Sequence, residues 1–170
     1  KCTEAMTAPV ADEAQGGFLV EAAFEAIVEL ARARDVVALG PGLGQNPQTV
    51  RLIRRLAEAI EAPLVVDADG LNALTPEILK RRKFATVLTP HPGEAGRLLG
   101  GVAASALNDD RVASARKLAD LTGAVVVLKG AATVIAEPAD SACAPTENAQ
   151  TASEKVSKRA SNSAKIENAA

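Results

Sequence analysis

Short apolar runs, each followed at once by a glycine-bearing or polar motif, constrain the fold of this 170-residue chain more than any other feature. Continuous apolar runs separated by helical segments are typical of strands buried in a parallel sheet. Ligands bind at the carboxyl ends of such strands, so the motifs are predicted to form one small-molecule site. The four motifs are residues 40–44 (Gly-Pro-Gly-Leu-Gly), 67–70 (Asp-Ala-Asp-Gly), 89–94 (Thr-Pro-His-Pro-Gly-Glu) and 129–130 (Lys-Gly).

Composition excludes several other classes of protein. The chain is 48% hydrophobic, which is enough for one α/β core, and no apolar stretch approaches the roughly 20 residues of a membrane span. A net charge of -2, with three Phe and no Tyr or Trp, argues against a nucleic-acid groove. Cys2 and Cys143 lack the spacing of a metal site or a disulfide framework. We therefore expect a cytoplasmic domain without nucleic-acid or membrane partners.

The composition changes near residue 141, where a second segment is predicted to begin. All glycines lie at or before Gly130, and residues 141–170 contain few large aliphatic side chains. This tail is expected to be either disordered, because of its low hydrophobicity, or a helix with an alanine stripe.

Capping residues and apolar spacing predict helices between the strands. Asn46 and Pro47 form a typical helix start, and Gly123 a typical helix end. The short turn before residues 133–136 predicts a final strand antiparallel to its predecessor. The predicted helices are 20–33, a segment from Pro47 to before Pro63, a short helix after Thr75, 94–99, and one from after Asn108-Asp109 to Gly123.

The glycine loop at 40–44 leads toward a helix N-terminus, where free N–H groups and the helix dipole favour an anion such as phosphate. No Gly-Lys-Ser/Thr follows, and Gln45 breaks the Gly-x-Gly-x-x-Gly fingerprint. A purely structural turn is the alternative. Gly42 and Gly44 are the candidate ligand-contacting glycines.

Acidic and amide side chains follow the second apolar run. Asp67 is predicted either to bind a ligand, through a sugar hydroxyl or hydrated Mg²⁺, or to cap nearby backbone N–H groups. Asp69 is expected mainly to form a turn. Asn72 is either a turn residue or a hydrogen-bond donor to a ligand.

His91, the single histidine, lies between Pro90 and Pro92, which fix the direction of its ring. We expect it to contact a ligand, although a structural histidine is the common alternative. Glu94 either caps the following helix or holds a metal through water.

Lys129 and Gly130 follow the most apolar run. A lysine there is poorly solvated unless it meets an anion or reaches the rim, and the glycine allows close approach of a ligand. Thr133 is near enough to add a hydroxyl.

Together these motifs closely resemble the ADP-dependent NAD(P)H-hydrate dehydratases. The matching segments are 37–44, 63–74, 88–94 and 126–136, and the resemblance runs from about residue 4 to 140, so residues 1–140 are interpreted as the central part of a dehydratase domain. It implies an α/β, ribokinase-like fold with a mostly parallel sheet, helices on both faces and three layers. It also implies repair of hydrated NADH or NADPH with ADP (or ATP) as phosphoryl donor and Mg²⁺ present, and an associated epimerase; a homo-oligomer is expected.

Residue by residue, the resemblance implies that the glycine loop ending in Gly44 and the ring of His91 contact the hydrated dinucleotide, and that residues 129–133 contact the AMP portion of the nucleotide. The substrate set comprises Gly42, Gly44, His91, Asp67 and Asn72, and the nucleotide set Lys129, Gly130, Ala131, Ala132 and Thr133. Asp67 and Asn72 join the substrate set from their position after the second apolar run, not from the resemblance. The family's base lies in a Gly-Gly-Thr-Gly-Asp segment that these 170 residues lack, so no catalytic residue is assigned. No metal ligand is assigned either, and Glu94 is a weak candidate. Two alternatives remain, namely a non-catalytic nucleotide-binding remnant of this fold and a related kinase of a vitamin precursor.

Overall fold

The described residues form one five-stranded, mostly parallel sheet. In a computed structural model, residues 7–10 and 17–139 are described. The strand order follows the chain: β1 to β4 pair in parallel, and β5 pairs antiparallel with β4. The strands are β1 (Val37–Leu39), β2 (Leu64–Val66), β3 (Thr86–Leu88), β4 (Val125–Leu128) and β5 (Val134–Ala136). Both the parallel sheet and the antiparallel return predicted from the apolar runs are confirmed.

Helices connect the strands largely where the sequence predicts them. Asn46 caps the second helix, its side-chain oxygen accepting a hydrogen bond from the Gln48 N–H at 2.9 Å, and Pro47 is the first helical residue. The helices are α1 (Phe24–Arg32, after a 3-10 turn at Glu21–Ala23), α2 (Pro47–Ala59), α3 (Asp69–Ala73), α4 (Pro76–Lys80), α5 (Pro92–Leu98), α6 (Ala104–Asp109) and α7 (Arg111–Thr122).

The helix predicted to follow Asn108 and Asp109 begins slightly later, at Arg111. Asn108 and Asp109 end the short helix α6, which the sequence pattern did not indicate, and Asp110 is the residue that caps α7. The Asp110 carboxylate accepts a hydrogen bond from the Ala113 N–H at 2.9 Å. Leu107 is the one buried large aliphatic residue of α6, and a single such residue gives no periodicity to detect.

The main core lies between one face of the sheet and a layer of helices. α1, α2, α4 and α7 contact one another in that order, and α7 also contacts β4 and β5. The strand residues of this face are almost fully buried: Leu39, Leu64, Val66, Leu88, Val126 and Leu128. Alternate residues on the other face are partly accessible, and Ile135 of β5 is 68% exposed. A second helical layer covering that face stays a prediction.

Arg82 joins the end of α2 to the chain before β3. Its guanidinium donates hydrogen bonds to the carbonyls of Ala57, Ile60 and Ala62, the last at 2.9 Å. The carbonyls of Ala57 and Ile60 lie at the C-terminus of α2, where backbone carbonyls lack helical partners, and Ala62 lies in the segment that follows. One side chain thus satisfies part of that helix end. Burial of the guanidinium lowers the pKa of Arg82 below its usual value.

Two further expectations concern the tail of the chain and membrane-spanning helices. The tail at 141–170, like Cys2 and Cys143, lies outside the described residues. Within the described ranges, every helix is too short or too polar to cross a bilayer.

Candidate functional site

The four motifs meet at the carboxyl edge of the sheet. Backbone hydrogen bonds hold them to their neighbours: the Asp67 N–H donates to the carbonyl of Leu39, the last residue of β1, at 3.2 Å, and the Lys129 N–H donates to the carbonyl of Pro90 at 2.8 Å. The motif at 67–70 is thereby fixed to the end of β1, and the motif at 129–130 to the motif at 89–94. This is the arrangement expected when parallel strands end at one edge.

The glycine loop adopts a backbone that other residues rarely take. Gly40, Gly42 and Gly44 have φ values of 132°, 77° and 77°. A Cβ on Gly40 would lie 1.9 Å from the Asp67 carbonyl oxygen, whereas Gly42 and Gly44 face open space. Gly40 therefore serves packing between loops, while Gly42 and Gly44 leave room for another molecule.

Asp69 holds the glycine loop in place. Its two carboxylate oxygens accept hydrogen bonds from the Gly44 N–H and from the Gln45 side-chain amide, both at 2.8 Å. The prediction that Asp69 is structural is correct in kind, but its partners lie 24 and 25 residues away rather than in a local turn. Asn72, on the same helix α3, is exposed at the surface.

Asp67 forms an ion pair with Lys129 across the sheet edge. The Lys129 Nζ lies 2.7 Å from the Asp67 Oδ1, and the two side chains are 43% and 33% exposed. Burial alone would raise the pKa of Asp67. The hydrogen bonds from Lys129 and the Ala68 N–H, a smaller contribution from Thr89 and the Lys129 charge outweigh it and hold that pKa below its usual range. Candidate substrate and nucleotide residues are therefore in direct contact.

Ala68, between the two aspartates, is backbone-strained. Its φ of 49° and ψ of -119° suit glycine, and such a conformation costs about 1–3 kcal/mol. The turn is held by the Gly70 N–H, which donates to the Asp67 carbonyl at 3.0 Å, and by the Ala68 N–H, which donates to the Asp67 carboxylate at 2.9 Å. The strained turn directs Asp67 and Asp69 to different neighbours, a feature that nothing in the sequence signals.

His91 begins helix α5 as its N-cap. Its Nδ1 accepts a hydrogen bond from the Gly93 N–H at 3.0 Å, so the ring direction is fixed as predicted. The buried Glu94 accepts a hydrogen bond from the His91 N–H at 2.8 Å and completes a capping box. Of the alternatives for Glu94, capping is the observed one. The His91 side chain is 58% exposed. It lies at the carboxyl edge of the sheet, as does the glycine loop.

The loop at residues 129–133, which we term the hairpin loop, joins β4 to β5 at the same edge. Ala131, Ala132 and Thr133 are exposed, and the Thr133 hydroxyl donates to the Gly130 carbonyl at 3.2 Å. The close approach expected at Gly130 is made by Arg111 of α7, whose guanidinium lies 2.6 Å from where a Cβ would stand. Sequence reasoning missed Arg111, because it lies 18 residues before Lys129 and carries no motif.

Known proteins resemble this chain in sequence. A family model described as NAD(P)H-hydrate dehydratase matches residues 2–154. The chain belongs to the NAD(P)H-hydrate dehydratase family. Bifunctional NAD(P)H-hydrate repair enzymes Nnr of Thermofilum pendens and Moorella thermoacetica are each 45% identical to it, over 75% and 81% of this chain. The chain spans only 24% and 26% of the length of those relatives.

Solved structures agree with this assignment. An ADP/ATP-dependent NAD(P)H-hydrate dehydratase from Bacillus subtilis, co-crystallised with ATP and Mg²⁺, is 35% identical, with a TM-score of 0.50 over 61% of this chain and 37% of that one. A ribokinase-like protein from Enterococcus faecalis is 19% identical, with a TM-score of 0.54 over 66% of this chain and 39% of that one, and supports the fold alone. The predicted ribokinase-like fold is confirmed.

The carboxylates at this edge of the sheet are the side chains that bear on metal binding. Asp67, Asp69 and Glu94 all accept hydrogen bonds from protein donors. Among the described residues, no group of three or more His, Cys, Asp or Glu side chains is placed to hold a cation.

We expect Asp67→Asn to lower stability only where the carboxylate is ionised. The lowered pKa of Asp67 means that its contribution is present above the unfolded carboxyl pKa of about 4 and is lost as the pH falls through the folded pKa. Because the pair is partly exposed, the loss at neutral pH should be about 0.5–1 kcal/mol. Urea unfolding at neutral pH and at about pH 3 measures the difference.

The exposed Asp109→Asn is the control for removing one negative charge. It should leave the free energy of unfolding nearly unchanged at both pH values. An Asp67→Asn deficit that persists undiminished in acid would contradict the role assigned to the ion pair.

Proposed function

We propose that this chain supplies two ligand-binding sides of a site that removes water from hydrated NADH or NADPH at the expense of ADP. Its relatives are named as NAD(P)H-hydrate repair enzymes and as an ADP/ATP-dependent dehydratase. The observation that carries the proposal is the Lys129–Asp67 ion pair, because it joins the hairpin loop to the turn that holds the glycine loop.

The substrate side consists of the glycine loop, the strained turn and the exposed ring of His91. In this proposal Gly42 and Gly44 receive the dinucleotide where their missing side chains leave open space. Asp67 accepts a hydrogen bond from a hydroxyl, and His91 presents its ring, fixed by the Gly93 N–H, to the nicotinamide portion. Asn72, exposed on α3, adds a polar contact at the rim.

The nucleotide side is the hairpin loop. Lys129 has ammonium donors beyond the one used by Asp67, and these are suited to phosphate oxygens. Gly130, Ala131 and Ala132 present backbone with little side chain, and Thr133 adds a hydroxyl. A nucleotide held here would face the substrate across the ion pair.

The reaction needs little covalent help from these residues. The ring hydroxyl of the hydrate attacks the β-phosphorus of ADP, its proton passes to a base, and the bond to AMP breaks. The carbon–oxygen bond then breaks with loss of phosphate, a neighbouring carbon loses a proton, and the ring double bond is restored. Positioning and charge neutralisation supply most of the catalysis of phosphoryl transfer. In this proposal, the glycine loop and Lys129 provide them.

No catalytic base is assigned within the described residues. The carboxylates of Asp67, Asp69 and Glu94 are all held by protein donors. This favours a second candidate, a nucleotide-binding domain that lacks turnover by itself. Homo-oligomer formation, an associated epimerase and a cytoplasmic location belong to the proposal for the whole protein.

Titration with ADP, ATP and AMP, followed by thermal unfolding, tests binding. We expect each ligand that binds to raise the melting temperature, since ligands that bind only the folded state stabilise it. Release of phosphate from ADP that depends on hydrated NADH, together with recovery of NADH absorbance, would establish the dehydratase. Binding without turnover would select the second candidate, phosphate retained on the product would indicate the related kinase, and no shift with any nucleotide would overturn the proposal.

A further inference from the structure

The Arg111 side chain holds the hairpin loop through hydrogen bonds to backbone carbonyls. Its Nη2 donates to the carbonyls of Leu128 and Lys129 and its Nε to that of Ala132, all at 3.0 Å. Its Nη1 donates to the Asn108 side-chain oxygen at 2.6 Å. One guanidinium thus ties the end of β4, the far side of the loop and the end of α6 together.

Gly130 is shaped to this arginine. A Cβ at Gly130 would lie 2.6 Å from the Arg111 Nη2 and 3.0 Å from its central carbon. The arginine therefore fills the space on one side of the loop, which leaves Ala131 and Thr133 exposed to solvent. Ligand contacts made by the loop would come from that exposed part, away from the guanidinium.

We propose that Arg111 is a positioning residue for nucleotide binding, holding the hairpin loop in its ligand-ready shape without contacting the nucleotide. The inference rests on the proposed function of the hairpin loop. The Lys129 carbonyl is fixed by Arg111 while the Lys129 side chain reaches Asp67, so the backbone anchor also determines where the ammonium lies.

Lysine cannot replace this arginine. The planar guanidinium presents its donors in a fixed fork, which reaches three carbonyls in different directions, whereas an ammonium offers its donors from one point. Arg111→Lys therefore keeps the charge and removes the geometry. A misplaced binding loop lowers affinity even when the residues that touch the ligand are unchanged.

The experiment compares Arg111→Lys with Arg116→Lys, an exposed arginine on the same helix, in the full chain. ADP affinity is measured by calorimetry and, where turnover is present, KM is measured separately for ADP and for hydrated NADH. We expect Arg111→Lys to weaken ADP binding on the order of tenfold, with KM for the hydrate unchanged. Arg116→Lys should match the wild type in both.

The outcomes separate the two proposals. A wild-type chain that does not bind ADP refutes the proposed function, whereas a wild type and an Arg111→Lys variant that bind ADP equally overturn the positioning role alone. Equal increases in KM for both ligands would also overturn it, because a general loss of structure does not discriminate between them. If Arg111→Lys does not fold, Asn108→Ala removes one anchor of the guanidinium. It should then speed amide exchange in residues 129–133 and weaken ADP binding in the same direction, and no change in either would overturn the proposal.

Discussion

Replacing Gly40 with alanine should strongly destabilise the domain. The new Cβ would lie 1.9 Å from the carbonyl oxygen of Asp67 and 2.6 Å from the backbone nitrogen of Gly70. Both atoms belong to the backbone, so no side-chain rotation relieves the clash. The φ of 132° at Gly40 adds strain for any residue with a side chain.

The expected cost is at least about 3 kcal/mol, a large share of the roughly 5–15 kcal/mol that stabilises a domain of this kind. Urea unfolding followed by circular dichroism measures it, or a low yield of folded protein reports it directly. Gly70→Ala should behave similarly, since its Cβ would lie 2.5 Å from the Leu39 carbonyl on the other side of the same contact.

Gly42→Ala is the matched control in the same loop. Its φ of 77° is also unfavourable for alanine, but nothing lies within 4 Å of the added Cβ. The cost should therefore be only about 1–2 kcal/mol, from backbone conformation alone. Equal losses for Gly40→Ala and Gly42→Ala would contradict the packing role assigned to Gly40.

The sheet edge was predictable because its determinants are local. Apolar runs locate the strands to within a residue at most ends, and parallel strands place the following motifs at one edge. The fixed ring of His91 was predicted from its flanking prolines, whereas the bond that holds the ring comes from the Gly93 N–H, two residues away. Near-neighbour chemistry is visible in a sequence.

The contacts that organise the edge were not predictable, because they join distant segments. Asp69 reaches the glycine loop, Asp67 reaches Lys129 and Arg111 reaches the hairpin loop, with separations of 18 to 62 residues. The sequence predicts that Gly130 allows the close approach of a ligand, whereas the group found beside it is the guanidinium of Arg111. Sequence spacing indicates that a close approach occurs and does not identify which group makes it.

The strained Ala68 illustrates the same limit for the backbone. Alanine is a good helix former and gives no warning of a φ of 49°. The conformation is imposed by the surrounding bonds, which hold the Asp67 carbonyl to Gly70 and the Asp67 N–H to Leu39. A strained residue between two aspartates at a strand end is consistent with a functional site, where strain is commonly stored.

The second large effect concerns ligand binding, where Lys129→Met and Asp67→Asn should change ADP affinity in opposite directions. Lys129→Met removes the cation proposed to meet the phosphates, and loss of a charged hydrogen bond of about 1.5–3 kcal/mol weakens binding on the order of tenfold to a hundredfold. Asp67→Asn removes the carboxylate that neutralises Lys129 at 2.7 Å, so the free ammonium should bind ADP more tightly than in the wild type.

Calorimetric titration of ADP into the wild type, the two variants and the double variant tests whether the two substitutions change ADP affinity in opposite directions. The double variant should bind ADP as weakly as Lys129→Met, because Asp67 acts on the nucleotide only through the lysine. For the hydrated dinucleotide the order should reverse, with Asp67→Asn the more damaging change. If Lys129→Met binds ADP normally while losing stability, the lysine serves only the ion pair. The nucleotide must then be held elsewhere on the hairpin loop.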